Sequence, residues 1–299
     1  MIRMRSIVKE YSLALYFLLT FAITWICVLP WIVTTSMPGV VQDLNPVING
    51  IFSVLFTGGL ALGPAISAII VTSIESGKSG VRELFGRTVK WRVGVQWYLA
   101  ALFVPLILYL CAGGLHLLLW GSFLIDPLNR YPFRDYLSQY SAHNPILVAI
   151  VFFWFILFLG GGLEELGWRG YALPKLQSRY KYGAIKSSLI IGVFWGFWHL
   201  PLFFIPGSPQ NGYFFPAYLM GTVGLAFILT WVYNNTHSIF VVILLHTMEN
   251  FWFWAFALLP RTAYPMYWLL YLIVQWTFVI ILILAFGAKR LSRKPELSP

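Results

Sequence analysis

An all-α membrane fold is what this sequence predicts, and three observations predict it. Apolar residues fill 59% of the 299 positions and charged residues only 10%, with aromatics at 18%, a balance beyond what a soluble core and surface carry. The apolar residues fall in long runs, and about 20 in a row are what one helix needs to cross a bilayer. The runs also lack the polar and apolar alternation of barrel strands, which span in segments of about ten.

Eight spans follow, at roughly 11–34, 51–74, 97–120, 146–163, 185–206, 214–234, 237–258 and 264–287, within a single integral membrane domain covering 1–299. The first follows a short basic start, as a signal peptide would, but it is long and lacks a small-residue cleavage site, so it reads as a retained anchor. The second contains FTGGLALGPAIS, where Gly58, Gly59, Gly63 and Pro64 predict close helix packing or a kink. Between the second and third, basic residues interleave with Leu84, Phe85, Trp91 and Trp97, the pattern of a short helix lying on a leaflet. The fourth ends at GGGLEELGWRGY, and the fifth carries His199 just ahead of Pro201. Asn234, Asn235 and Thr236 after the sixth match a glycosylation acceptor but read as a cytoplasmic turn. Cys27 and Cys111 both fall inside spans, which supports neither a disulfide framework nor a Cys-rich metal site.

The formal charge of +10 is explained by where it sits. Of the 20 Lys and Arg residues, 17 lie on one side of the predicted topology. The other side holds Arg130, Arg134 and Arg261. This is the positive-inside pattern, and it predicts that both termini and the Glu-Glu segment are cytoplasmic. The excess charge reads as topology and contact with anionic lipid, with no nucleic-acid partner.

Ionisable groups inside spans are expensive in lipid and are functional candidates by default. They are Glu164, Glu165 and Arg169 in the fourth, His199 in the fifth, His246 and Glu249 in the seventh, and His116 in the third. Glu165 and Arg169 are four apart and share a helix face, whereas Glu164 is rotated by about 100 degrees. Spacing therefore assigns Glu165 to Arg169 and leaves Glu164 free to act as a base. His246 and Asn250 share a face, with Glu249 offset. Two imidazoles, a carboxylate and an amide from three helices could hold a water or a metal ion. Glu164 comes after about 18 residues of the fourth span, or about 27 Å of helix. The expected site is thus a cavity near the cytoplasmic boundary, open to the cytoplasm. His116, His143 and His237 are left outside it.

These residues resemble a known family, the CAAX-prenyl-protease and bacteriocin-processing intramembrane proteases (ABI or CPBP, Rce1-like). Its EExxxR element resembles Glu164-Glu165-Leu-Gly-Trp-Arg169, its Phe-xxx-His element Trp195-Gly-Phe-Trp-His199, and its HxxxN element His246-Thr-Met-Glu-Asn250. Trp195 stands where the family usually has Phe. The resemblance is close over about 160–255 and implies a membrane endopeptidase acting on a membrane-anchored or lipid-modified peptide. By that resemblance Glu164 and His199 activate a water, His246 and Asn250 stabilise the oxyanion, and Glu165 and Arg169 orient them. Zinc held by Glu164, His199 and His246 is compatible with the pattern, and so is metal-free general-base chemistry; the chain has no HExxH. A bacterial cytoplasmic membrane is the expected location. Two other classes compete: a non-catalytic bacteriocin immunity or scaffold protein, and a proton-coupled transporter. No inverted repeat or pair of discontinuous helices supports the transporter.

Overall fold

A computed structural model describes residues 2–36, 45–121, 145–206, 208, 210–256 and 264–293. His143, Arg130, Arg134, Arg261 and Lys294 lie outside the described residues. In chain order the helices are α1 (Ile2–Ser36), α2 (Pro46–Thr88), α3 (Val95–Trp120), α4 (Pro145–Leu159), the single turn α5 (Glu165–Gly167), α6 (Leu173–Ser178), α7 (Ala184–Trp198), α8 (Phe215–Thr236), α9 (Ile239–Phe256) and α10 (Tyr264–Phe286). Among the described residues there is no strand. Among the described residues seven helical stretches are long and apolar enough to cross a membrane; the seventh predicted span corresponds to α9, whose apolar part, Ile239–Phe253, is shorter. Large apolar side chains such as Leu18, Ile26, Leu118 and Leu284 point outward, as lipid-facing positions do.

The glycines of α2 act as the sequence suggests, with one exception. A Cβ at Gly59 would run into Cys27 and one at Gly63 into Thr24, while Gly58 faces open space. Thr24 Oγ1 also donates to Gly59 O at 2.9 Å, so α1 and α2 form a close antiparallel hairpin. The basic segment after the second span is not a separate surface helix throughout. It continues α2 across a break at Gly77 (φ 64°), buries Leu84 and sends Arg87 Nη1 to Gly170 O at 3.0 Å. Phe85, Val89 and Trp91 remain exposed.

The fourth span differs from expectation in length. Helix α4 stops at Leu159, but the chain stays within the bundle, winding through a 3₁₀ turn (Gly162–Glu164), α5, a π turn (Trp168–Ala172) and α6. The candidate span is therefore Ile150–Ser178, with Glu164 at its midpoint, well away from a boundary. The cause is packing: Leu166, Trp168, Tyr171, Leu173 and Leu176 are all buried, so the segment has an apolar surface to cover.

The two ends of the bundle are built differently. At the basic end, Ser238 Oγ donates to Lys90 O at 2.5 Å, Asn234 Nδ2 to Arg290 O at 2.6 Å, Asn235 Nδ2 to Leu291 O at 2.8 Å and Ala184 N to Lys289 O at 2.6 Å. Asn234 and Asn235 are thus buried helix-end residues and not a loop acceptor. The opposite end is aromatic: Trp31 stacks on Phe56 at 5.6 Å and Tyr213 lies 6.1 Å from Trp268.

Candidate active site

The site begins with the break at Gly160-Gly161-Gly162. Gly161 has φ 117°, a conformation that side-chain-bearing residues rarely adopt. A Cβ there would also stand 2.8 Å from His246 Nε2 and 3.0 Å from Asn250 Nδ2. The bare backbone lets α9 bring both side chains against the turn, and Asn250 Nδ2 donates to Gly160 O. One N–H of that amide remains unspent among the described residues.

Beyond the break the two glutamates diverge. Glu165 and Arg169 are both fully buried, and Arg169 Nη1 donates to Glu165 Oε1 at 2.8 Å and Oε2 at 3.0 Å. The Arg169 guanidinium lies 5.0 Å from the Trp195 ring centre. Glu165 Oε1 accepts a second bond from His246 Nδ1 at 2.8 Å. Since the carboxylate accepts, Nδ1 carries the proton and Nε2 is left toward Gly161.

Glu164 faces the other way. Its Oε2 accepts Trp195 Nε1 at 2.9 Å and Trp168 Nε1 at 3.3 Å, and its Oε1 has no hydrogen-bond partner among the described residues. His199 closes α7: its Nδ1 donates to Trp195 O at 2.9 Å, which fixes the proton on Nδ1 and leaves Nε2 as an acceptor in the neutral ring. Pro201 cannot extend the helix, and the carbonyl of Trp198 accepts Trp25 Nε1 at 3.0 Å instead. The His199 ring is held edge-on against Trp198 at 4.6 Å and Tyr218 at 5.6 Å.

Glu164, His199, His246 and Asn250 line one cavity of about 530 Å³, a size that takes a peptide segment or small ligand. The structure thus brings together all four sequence-predicted reacting residues, with Glu165 and Arg169 buried behind them. The cavity extends toward the aromatic end, past Trp31, Phe56, Tyr213 and Trp268. Among the described residues no three His, Cys, Asp or Glu side chains are grouped to hold a metal ion. Two of the four nitrogens on the histidines are already committed as donors, to Glu165 and to Trp195 O. Each ring keeps its Nε2 open, and metal-ligating histidines donate their other N–H in this same way, so the hydrogen bonds are compatible with metal-assisted and with metal-free chemistry.

Several contacts of the site lie beyond sequence reasoning. The i, i+4 spacing of Glu164 and Trp168 is visible in the chain. The indole of Trp195 reads there only as an exchange for Phe, yet its N–H reaches Glu164. The Glu165–His246 bond joins residues 81 apart and leaves no local signal. His116, expected outside the site, is buried and stacks on Trp120 at 4.8 Å.

A helical membrane protein with a polar cavity built from two glutamates, two histidines and an asparagine is the class that fold and site define. A family model described as type II CAAX prenyl endopeptidase Rce1-like matches residues 146–252, which include every residue of that cluster. A curated relative, CAAX prenyl protease 2 of Methanococcus maripaludis, is 28% identical over 253 residues, covering 81% of this chain and 83% of the relative. Both matches support a place for this chain beside the Rce1-like CAAX prenyl endopeptidases, and with it a protease.

Proposed function

We propose that this chain hydrolyses a peptide bond of a membrane-associated or lipid-modified peptide, using a water activated by Glu164 and His199. The observation that carries the reading is the inequality of the two adjacent glutamates. Glu165 is saturated by Arg169 and His246, while Glu164 keeps one oxygen without a partner among the described residues and lines the same cavity as His199, whose Nε2 is unspent. A water between them can lose a proton to the carboxylate as its oxygen attacks the carbonyl carbon. The free N–H of Asn250, with His246 Nε2–H when that ring is doubly protonated, meets the developing oxyanion. The carbon–nitrogen bond then breaks as Glu164 returns the proton to the leaving nitrogen. Glu165 and Arg169 hold His246 in place, and the whole chain acts as one membrane domain.

The decisive test incubates purified protein in nanodiscs with a library of membrane-associated peptides, comparing wild type with Glu164→Ala and His246→Ala. Cleavage by wild type alone supports the assignment; cleavage persisting in both variants sinks it. If no peptide is cut and cellular function survives Glu164→Ala, a scaffold or immunity role replaces it. Activity should also survive a strong chelator, with metal content measured on the same sample; loss restored by zinc would overturn the metal-free route. The name of the Methanococcus relative, CAAX prenyl protease 2, favours peptides carrying a C-terminal lipid as the first to try.

For orientation, the 17-to-3 partition of Lys and Arg supports a cytoplasmic basic end, which directs the cavity to the opposite side. In a variant without Cys27 and Cys111, a membrane-impermeant thiol reagent applied to intact cells should label Asn211→Cys and not Arg92→Cys. The reverse result would restore the cytoplasm-facing cavity expected from sequence.

A further inference from the structure

The proposed reaction leaves one carboxyl group in the cavity unused. Glu249 follows His246 by three residues and precedes Asn250, so it stands within one helical turn of the proposed oxyanion donors. It is 6% exposed. Its Oε1 accepts Tyr271 Oη at 2.5 Å and Tyr109 Oη at 2.9 Å. Its Oε2 is buried and has no hydrogen-bond partner among the described residues. The supports are fixed: the Tyr109 and Tyr271 rings stack at 4.6 Å, and Tyr267 Oη donates to Tyr109 O at 3.1 Å. Helices α3, α9 and α10 thus cooperate to hold one carboxyl group, and Tyr109, Glu249 and Tyr271 all line the cavity.

A carboxyl group inside a membrane protein is costly and calls for partners. A purely structural role would be expected to satisfy both oxygens. Here one oxygen is doubly occupied and the other is buried without a partner among the described residues, on a side chain that lines the same cavity as Glu164 and Asn250, which marks it as an acceptor for something that arrives. The arrival must be a hydrogen-bond donor, and the strongest is a cationic nitrogen.

We propose that Glu249 Oε2 is the subsite for the amino group of the departing peptide, an inference that rests on the endopeptidase reading above. In the hydrolysis, the water oxygen bonds to the carbonyl carbon, the carbon–nitrogen bond breaks, and the proton taken from water goes to the nitrogen. The departing amine then takes a further proton from solvent, since a free α-amino group titrates near 7.7–8.0. An amide nitrogen with one N–H becomes an ammonium with three. Glu249 accepts from it, while Tyr109 and Tyr271 are positioning residues that aim the carboxyl group.

The test measures product binding without turnover. Tetraleucine amide and its N-acetyl counterpart are titrated into the full-length protein in nanodiscs. Wild type should bind the free amine about ten-fold more tightly or better, the worth of one charge-assisted hydrogen bond, and Glu249→Gln should bind the two equally. Equal binding by wild type, or a preference that survives in Glu249→Gln, overturns the subsite. Tyr271→Phe is the second variant: it keeps Oε2 and the Tyr109 bond and removes one of the two bonds that aim the carboxyl group, so the preference should shrink without vanishing. A protein that still binds both peptides but shows no preference in wild type overturns the subsite. The two readings fail separately. Cleavage without amine preference removes the subsite alone, and amine preference in a protein that cleaves no peptide removes the endopeptidase alone.

Discussion

Glu164 and Glu165 are neighbours in sequence and opposites in environment. The Glu165 side is closed: Arg169 bonds both oxygens, His246 bonds one of them, and the group is wholly buried. On the Glu164 side, two indole N–H groups converge on one oxygen and leave the other toward the cavity. The difference teaches that a charge in a membrane interior does one of two jobs. Where its bonding capacity is filled it organises structure, and where some is kept open it is available to chemistry.

The sharpest way to break this comparison is to neutralise each partner in turn. Glu164→Gln should lower kcat by about a thousand-fold, within the usual range of a lost general base, while leaving thermal unfolding in detergent unchanged. Glu165→Gln should lower both activity and unfolding temperature, because it loosens Arg169 and His246 together. Equal behaviour of the two variants would erase the distinction.

A smaller effect is expected at the ion pair itself. Arg169→Met strands a buried carboxylate, which typically costs about 3–5 kcal/mol, read as a shift in thermal or denaturant unfolding. Combining it with Glu165→Met should recover part of that loss, and failure to recover any would mean that Arg169 acts through other contacts. The smallest effect belongs to the open side. Trp195→Phe removes one donor to Glu164 while keeping an aromatic ring, so kcat should fall about ten-fold, the scale of one hydrogen bond to a charged group, with stability nearly constant.

Much of this architecture is legible in the sequence because the relevant spacings are local. Apolar runs place most of the helices to within a few residues, and the i, i+4 rule alone pairs Glu165 with Arg169. The length of the fourth span is not legible. A glycine triplet followed by charge reads as the end of a helix, and only tertiary packing of Leu166, Trp168 and Leu173 carries the chain onward. Long-range partners stay hidden for the same reason. Nothing in the sequence tells that Tyr109 and Tyr271 meet at Glu249, since 140 and 22 residues separate them from it.

The hydrogen bond from Trp25 to the Trp198 carbonyl has a consequence for where the working unit ends. The family match spans 146–252, yet the turn that presents His199 is finished by a residue of the first helix. Gly167, beside the Glu pair, is hemmed in by Pro64 O and Tyr16 Oη. Helices upstream of the recognisable segment thus serve as its mould. A fragment trimmed to the match would retain every residue of the signature and lose the walls that give those residues their shape.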